Sequence, residues 1–148
     1  MKKIIALLIV LAAAGVAALA LMAFHAEKPP AGEQIAWSDF ERGTQFAREK
    51  NLPMMIDFVA SWCIWCKKMA EEVYPAPEVV RLSQKFVCIR VDADREEALV
   101  QHYKVDGYPT IVFTNSMGGE VHRITGYVSA NEFIAQMKAA LETVGGGK

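Results

Sequence analysis

The sequence is poor in cysteine and has no marked excess of either charge. Its 148 residues contain three cysteines, too few for a disulfide scaffold, and the odd number leaves Cys88 without an obvious partner. The formal net charge is −1 and no basic block occurs, so the electrostatic signature of a nucleic-acid-binding protein is missing. No repeat of 20–50 residues is present, which excludes repeat architectures. The length suits one domain with a single core.

A long apolar run occurs at the N-terminus. Lys2 and Lys3 precede an uncharged stretch from Ile4 to Phe24. As a helix this stretch would reach about 31 Å, at about 1.5 Å per residue, enough to cross a hydrocarbon core of about 30 Å. Lysines ahead of such a segment favour keeping that end in the cytoplasm, so the rest of the chain is predicted to lie outside.

A cleaved signal peptide is the alternative interpretation of this run. Ala18-Leu19-Ala20 fits a small-x-small cleavage site, but cleavage there would leave Leu21 to Phe24 as an apolar end. The length favours an anchor, and both interpretations export the remaining chain. The predicted layout is an anchor or signal over 1–26, a linker over 27–36, a domain over 37–143 and a flexible tail over 144–148.

Helix and strand patterns alternate in the exported part. Ser38-Asp39-Phe40-Glu41 matches a capping box and predicts a helix from about Asp39 to Lys50. This helix is predicted to stop at Asn51 and to place three apolar side chains on one face: Phe40, Phe46 and Ala47. Met54 to Ala60 is short and apolar on both faces, which is typical of the central strand of a covered sheet.

The later patterns complete an α/β domain. They predict, in order, a helix from Cys63 to about Val73, a short helix opening at Pro77, a strand from Phe86 to Val91, a helix from Arg95 to Tyr103, a hairpin of Thr110–Thr114 and Glu120–Thr125, and a last helix from the Ser129-Ala130-Asn131-Glu132 capping box to about Thr143. The order αβαβαββα indicates a mixed central sheet flanked by helices on both faces, preceded by an N-terminal hydrophobic helix.

The most informative motif is Cys63-Ile64-Trp65-Cys66, directly after the predicted central strand. Two thiols with this spacing at the start of a helix can close a small disulfide ring reversibly, which suits electron exchange. The alternatives are an inert structural bridge and half of a zinc site. Zinc needs four ligands and the remaining Cys88, His102 and His122 are scattered singly, so no metal site is predicted.

Asp57 is the second informative residue, because a carboxylate within an apolar strand costs free energy unless it is paired or neutral. Burial should raise its pKa, so that it can accept and return a proton near neutral pH. The alternative is a strand-edge aspartate that is hydrogen-bonded to the backbone.

The run from Asp57 to Lys67, Gly107-Tyr108-Pro109-Thr110 further on, and Gly126 after the hairpin together resemble thioredoxin. The resemblance covers about residues 35–142. Within the thioredoxin superfamily the chain is most similar to the periplasmic C-terminal thioredoxin-like domain of DsbD-type thiol:disulfide interchange proteins. That similarity rests on the Trp-Cys-x-x-Cys-Lys helix start, on Tyr74 to Val79, and on Arg123-Ile124-Thr125-Gly126-Tyr127.

The resemblance implies a thioredoxin fold and a division of labour at the site. Cys63, at the helix N-terminus and expected to be the more exposed sulfur, is the predicted nucleophile, and Cys66 resolves the mixed disulfide. Asp57 takes the proton of Cys66. In thioredoxin a lysine on the neighbouring strand pairs with this aspartate; here Cys88 occupies that place, so Asp57 is predicted to lack a cation. Cys88 itself is predicted to be a buried, inert core residue.

Substrate-binding residues are also implied. Tyr108-Pro109 resembles the loop whose proline is cis in the superfamily and would pair with an extended substrate segment beside Cys63. Trp62 and Trp65 are predicted to form a docking surface, because tryptophan is enriched at interfaces; the alternative is that one of them packs against the domain and the other is exposed. Ile64 and Trp65 between the cysteines offer no histidine to stabilise a thiolate, which favours a reducing couple.

These observations predict an exported thiol–disulfide oxidoreductase, acting as a reductase and needing no cofactor. Its predicted partners are protein disulfides, including cytochrome c maturation factors, and a membrane electron donor of the DsbD type. The alternative is a thioredoxin-fold copper chaperone or substrate-binding module, although copper-delivering relatives use a wider cysteine spacing and a ligating histidine.

Overall fold

The computed structural model describes residues 34–146. The segment predicted as an anchor or signal, 1–26, lies outside these residues, as do linker positions 27–33 and the last two residues of the tail. No helix within residues 34–146 combines the length and the apolar character needed to cross a bilayer.

One mixed sheet of five strands organises this part of the chain. Its order is β1-β3-β2-β4-β5, with β1, β3 and β2 parallel and β4 and β5 antiparallel to their neighbours. The strands are Trp37–Ser38 (β1), Met54–Val59 (β2), Val87–Asp92 (β3), Thr110–Thr114 (β4) and Glu120–Thr125 (β5). The central position of β2 and the β4–β5 hairpin are confirmed, whereas β1 was not predicted.

Five α-helices flank the sheet in the described part of the chain: Phe40–Lys50 (α1), Ile64–Lys68 (α2), Pro77–Ser83 (α3), Glu97–His102 (α4) and Ala130–Gly146 (α5). A π-helical turn, Met69–Val73, continues α2. The helices predicted within residues 34–146 are all present. The Ser129 hydroxyl accepts the Glu132 amide at 3.3 Å, as a capping box requires, and α5 runs three residues beyond Thr143.

The start of α1 differs from the prediction. Asp39, not Ser38, is the N-cap, and its carboxylate accepts the Arg42 amide at 2.9 Å. Ser38 is instead held in β1, where it pairs with Ile89. Asn51 ends the helix with a φ of 53°, as predicted.

The buried face of α1 is also narrower than predicted. It is centred on Gly43 and Ala47, which lie one turn apart, whereas Phe46 is 48% exposed. Successive helical residues are about 100° apart, so Phe46 falls at the border of that face beside Ala47. The assignment of Phe46 to the buried face was therefore wrong.

Two apolar layers cover the two faces of the sheet. Side chains of β2 alternate between them: Met55 packs with residues of the π-helical turn, α3 and α5, whereas Ile56 and Phe58 pack with residues of α1 and α4. Helices on both faces are thus confirmed. Asp57 points to the same side as Met55, the side that α2 and its π-helical turn cover.

Candidate redox site

The two cysteines lie where β2 ends and α2 begins. Cys63 is the N-cap of α2, and its Sγ accepts the Cys66 amide at 3.0 Å. A disulfide joins Cys63 and Cys66, whose Cα atoms are 5.3 Å apart. The pair packs against Ala60, Val59 and Tyr108. The first thiol lies beside an amide at the helix N-terminus that has no partner within the helix, and the second thiol lies one turn later. The two thiols therefore form a compact dithiol site.

Both cysteines are buried, Cys63 to 4% exposure and Cys66 to 8%. As a whole residue Cys63 is no more exposed than Cys66, and the greater exposure of its sulfur stays a prediction. The reason is local: Cys63 packs in the junction between Ala60 and the helix, where its backbone amide donates to the Ala60 carbonyl at 3.1 Å. What distinguishes Cys63 is the amide directed at its sulfur.

An aspartate that was not predicted as a site residue binds the two residues that precede Cys63. Asp94, just beyond β3, accepts the Ser61 amide at 2.8 Å and the Trp62 indole N–H at 3.1 Å. These hydrogen bonds lower the pKa of the Asp94 carboxyl, and the bond from the Ser61 amide has the largest effect. The carboxyl ends of the parallel strands β2 and β3 lie at the same edge of the sheet. An acid just after β3 could therefore have been predicted from the sequence to contact the loop after β2.

Exposed apolar side chains surround the disulfide. Trp62, Ile64 and Trp65 are each at least half exposed, at 70%, 73% and 50%. Trp62 stacks edge-to-face on Tyr108, with ring centroids 5.7 Å apart, and Trp65 lies 5.6 Å from Tyr127. Large apolar side chains left in solvent around a buried reactive bond are typical of a surface that another molecule covers.

The Tyr108-Pro109 loop lies beside this surface. Its peptide bond is cis, and Tyr108 packs against the cysteine pair. The Pro109 carbonyl accepts the Gly126 amide at 2.8 Å, with Gly126 at a φ of 84°, which explains the glycine at that position. The structure thus brings Trp62, Ile64, Trp65 and the Tyr108-Pro109 loop together around Cys63 and Cys66.

Asp57 is fully buried in the centre of β2, which excludes the alternative of a strand-edge aspartate. Burial raises the pKa of its carboxyl, although the charge and hydrogen bonds of Arg90 oppose the rise. Met55, on the same face of β2, packs with the π-helical turn, and Val59, also on this face, packs with the cysteine pair. Asp57 therefore lies behind the helix that carries Cys66.

The prediction that Asp57 lacks a cation was wrong. Arg90 pairs with Asp57 across β2 and β3, and its Nε and Nη2 donate to Oδ2 at 3.2 and 3.0 Å. Cys88 lies two residues earlier on β3, opposite Met55. Side chains two residues apart on a strand point to the same face of the sheet, so Arg90 lies on the same face as Cys88. That Arg90 is the residue opposite Asp57 follows only from the register between β2 and β3.

Cys88 is a buried core residue, as predicted. Its thiol donates to the Ser83 carbonyl at 3.5 Å, and burial raises the pKa of this thiol to about 12. A thiol is a poor nucleophile while it stays protonated, so the raised pKa supports the predicted inertness of Cys88. Within residues 34–146 no group of three or more His, Cys, Asp or Glu side chains is arranged to hold a metal ion.

Comparisons with known proteins agree with this architecture. The family model described as Thioredoxin-like domain matches residues 40–141. The chain is 35% identical over 146 residues to the thiol:disulfide interchange protein DsbD of Klebsiella pneumoniae subsp. pneumoniae, a match that covers 88% of this chain and 24% of that protein. The chain thus spans about a quarter of the length of this relative.

Solved structures give the same result. A thioredoxin from Thermus thermophilus is 27% identical, with a TM-score of 0.70, over 76% of this chain and 91% of that one. The reduced C-terminal domain of Neisseria meningitidis DsbD is 27% identical, with a TM-score of 0.60, over 70% of this chain and 97% of the domain. The chain therefore belongs to the thioredoxin-like family and is a relative of the DsbD thiol:disulfide interchange proteins, with Cys63 and Cys66 as its CxxC pair.

Proposed function

We propose that the protein is an exported thiol–disulfide oxidoreductase that reduces disulfide bonds of other proteins through Cys63 and Cys66. The observation that carries this proposal is the Cys63–Cys66 disulfide at the start of α2, with an apolar surface in front of it and a buried acid behind it. A permanent structural bridge would need neither the exposed surface nor the acid.

Cys63 is the nucleophile in this proposal. The amide of Cys66 points at the Cys63 sulfur, which favours the thiolate over the thiol once the pair is reduced. The Cys63 thiolate attacks one sulfur of the substrate disulfide, and the other substrate sulfur leaves as a thiolate. Cys66 then attacks Cys63 and expels the second substrate thiolate, so the substrate gains two electrons and the Cys63–Cys66 disulfide forms.

Asp57 is the proton acceptor of the second step. Cys66 must lose its proton before it attacks, and Asp57 lies behind the helix that presents Cys66. Burial raises the pKa of Asp57 toward that of a thiol, so moving the proton from Cys66 to Asp57 costs less free energy. The positive charge of Arg90 opposes this rise and favours the ionised carboxylate that accepts the proton.

The substrate binds across Trp62, Ile64, Trp65, Tyr108 and Pro109 in this proposal. Trp62, Ile64 and Trp65 present apolar and aromatic area around the disulfide, and Asp94 and Tyr108 fix the orientation of Trp62. An extended segment of the substrate pairs with the backbone of the Tyr108-Pro109 loop.

Export and the direction of electron flow complete the proposal. Residues 1–26 anchor the protein in the inner membrane or direct its secretion, with the domain in the periplasm. The absence of a histidine between Cys63 and Cys66 supports a reducing couple. The relationship to DsbD supports re-reduction by a membrane electron donor of that type, with oxidised periplasmic proteins and cytochrome c maturation factors as clients.

An insulin-reduction assay driven by dithiothreitol tests the proposal. Cys63→Ala should abolish turnover, and Asp57→Asn should slow it about a hundredfold. Cys88→Ala is the matched control, because it removes a buried free thiol that is not part of the Cys63–Cys66 pair, and should retain turnover. Full turnover in Cys63→Ala would overturn the role of Cys63 in the exchange. Tight Cu(I) binding by a wild type without turnover would overturn the assignment in favour of the binding module.

A further inference from the structure

The loop after β5 places an aromatic side chain beside the cysteine pair to which the exchange chemistry above gives no role. Tyr127 lies in this loop, and its ring centroid is 5.6 Å from that of Trp65, with 39° between the ring planes. The preceding residue, Gly126, donates its amide to the Pro109 carbonyl at 2.8 Å. Tyr127 is therefore connected to the Tyr108-Pro109 loop through the backbone and to Trp65 through its ring.

Contacts between neighbouring residues form an unbroken series from the residue before Cys63 to the residue before Cys66. In order of contact its members are Trp62, Tyr108, Pro109, Gly126, Tyr127 and Trp65. We call this series the aromatic rim. Its two ends, Trp62 and Trp65, are half exposed or more, whereas the two tyrosines are partly buried. The rim therefore presents two indole rings to solvent, each supported by a tyrosine.

The Trp65 end of the rim is held by two charged side chains. The Tyr127 hydroxyl donates to Glu72 Oε2 at 2.7 Å, and the other oxygen of Glu72 lies 3.9 Å from Lys68 Nζ. Lys68 Nζ in turn lies 4.9 Å from the ring centroid of Tyr127 and 5.5 Å from that of Trp65. Lys68 ends α2 and Glu72 lies in the π-helical turn, so both belong to the helical segment that carries Cys66. We call Tyr127, Glu72 and Lys68 the Trp65 clamp.

The clamp restricts the movement of an exposed side chain. An exposed ion pair such as Lys68–Glu72 adds little to stability by itself. Trp65, however, loses freedom before any partner binds, since the Tyr127 ring and the Lys68 ammonium both pack against it. A partner then does not have to offset the entropy cost of ordering this indole. A half-exposed tryptophan with a fixed orientation is suited to anchor a side chain of the partner.

We propose, building on the function proposed above, that the Trp65 clamp sets substrate specificity by holding Trp65 as a wall for an aromatic side chain that flanks the reacting cysteine of the substrate. Trp65 lies two residues after Cys63, so the neighbour of a substrate cysteine bonded to Cys63 is within reach of the exposed indole. Aromatic rings prefer tilted or offset contacts with one another, and such a pair adds affinity beyond the area that it buries. Tyr127 and Trp65 contact the substrate, whereas the two charged residues of the clamp are positioning residues that act through Tyr127.

The test uses two synthetic peptides, each closed by one disulfide, which differ only in having phenylalanine or leucine beside the first cysteine. The reduced protein is mixed with each oxidised peptide, and the rate of peptide reduction is followed over a range of peptide concentrations. The quantity compared is the preference, which is the ratio of the second-order rate constants for the phenylalanine and leucine peptides. Because both peptides are apolar at this position, the preference reports the aromatic contact rather than general hydrophobicity.

Four variants accompany the wild type, and circular dichroism checks that each is folded. Tyr127→Ala removes the supporting ring, Glu72→Leu removes the acceptor of the Tyr127 hydroxyl, and Glu72→Gln keeps an acceptor oxygen at the same place. Phe46→Ala is the matched control, because Phe46 is a half-exposed aromatic residue of α1 that lies outside the aromatic rim.

The wild type should prefer the phenylalanine peptide about fivefold, which is within the range that one aromatic pair adds. This preference should lie in the half-saturating peptide concentration rather than in the maximal rate, because Trp65 binds the substrate and does not react with it. In Tyr127→Ala it should fall to about one, and in Glu72→Leu to about half of the wild-type ratio, because the indole is no longer held. Glu72→Gln should restore most of it, and Phe46→Ala should retain all of it.

The absence of a preference in the wild type, or a full preference in both folded Tyr127→Ala and Glu72→Leu, would overturn the proposal. If Tyr127→Ala does not fold, Glu72→Leu decides alone, since Glu72 lies at the surface and its replacement leaves the core intact. A wild type that reduces both peptides at equal rates keeps the proposed function and refutes the clamp, whereas one that reduces neither peptide refutes the proposed function itself. The two proposals therefore fail separately.

Discussion

At the scale of single residues, Asp57 combines full burial with a partly compensating cation. Burial raises the pKa of its carboxyl above the usual value of about 3.9, and Arg90 reduces the rise without cancelling it. The folded protein therefore binds the proton more tightly than the unfolded chain. Asp57 consequently makes folding less favourable as the pH rises from the unfolded pKa to the folded one, and the loss stays constant above that window.

This reasoning predicts the effect of Asp57→Asn on stability. The free energy of unfolding of the variant, minus that of the wild type, should become more positive as the pH rises from 3 to 8, because asparagine has no charge to desolvate. Urea denaturation across that range measures the difference. Asn131→Ala, a substitution at an exposed and uncharged residue of α5, is the control and should show no such trend. A constant or falling difference for Asp57→Asn would contradict the raised pKa.

The residue types at the site were more predictable than their partners. Cys63, Cys66 and Asp57 stand out because thiols at a helix start and an acid in an apolar strand are chemically conspicuous. The pairing of Arg90 with Asp57 was missed because it depends on which residues of β2 and β3 face each other, a property of the sheet. The burial of Cys63 was missed for a similar reason, since packing at the junction decides it.

At the scale of elements, α1 lies close against the sheet at Gly43. A Cβ at this position would lie 2.5 Å from Ile89 Cγ1 and 2.7 Å from Cδ1. Such distances force the side chain of Ile89 or the helix to shift. The close approach explains why a glycine interrupts a helix interior here, despite its poor helix propensity.

Gly43→Ala should therefore destabilise the protein by about 1–3 kcal/mol, the usual cost of adding a methyl group to a packed interface. Chemical denaturation provides the measurement. Gly145→Ala near the end of α5 is the matched control, because its new Cβ has no atom within 4 Å and alanine favours a helix. A Gly43→Ala variant as stable as the wild type would mean that α1 does not sit as closely on β3 as described.

Elements with strong patterns were predictable from the sequence. The apolar run of β2, the β4–β5 hairpin and the helices stand at or near their predicted limits because several local signals agree. The strand β1 was missed because two residues are too few to show the alternation of apolar and polar side chains that marks a strand. The N-cap of α1 was misplaced by one residue because this same strand holds Ser38, so that Asp39 caps the helix.

At the scale of the whole molecule, the chain corresponds to one thioredoxin-like domain of a longer type of protein. It covers 97% of the reduced DsbD C-terminal domain but about a quarter of a complete DsbD. In the proposed function this domain carries the exchange site, and a membrane donor supplies the electrons. Composition and motifs sufficed to predict the family. The direction of electron flow depends on a reduction potential, for which the residues between Cys63 and Cys66 are one determinant among several.

The reduction potential of the Cys63–Cys66 pair tests the central claim most directly. The protein is equilibrated in dithiothreitol or glutathione buffers of defined potential, its free thiols are alkylated, and the labelled cysteines are counted by mass spectrometry. Cys63 and Cys66 should become labelled together in one two-electron transition, near the potential of thioredoxin, about −270 mV. A pair that never opens and closes in these buffers would contradict the redox site, and a potential near that of DsbA, about −120 mV, would contradict its role as a reductase.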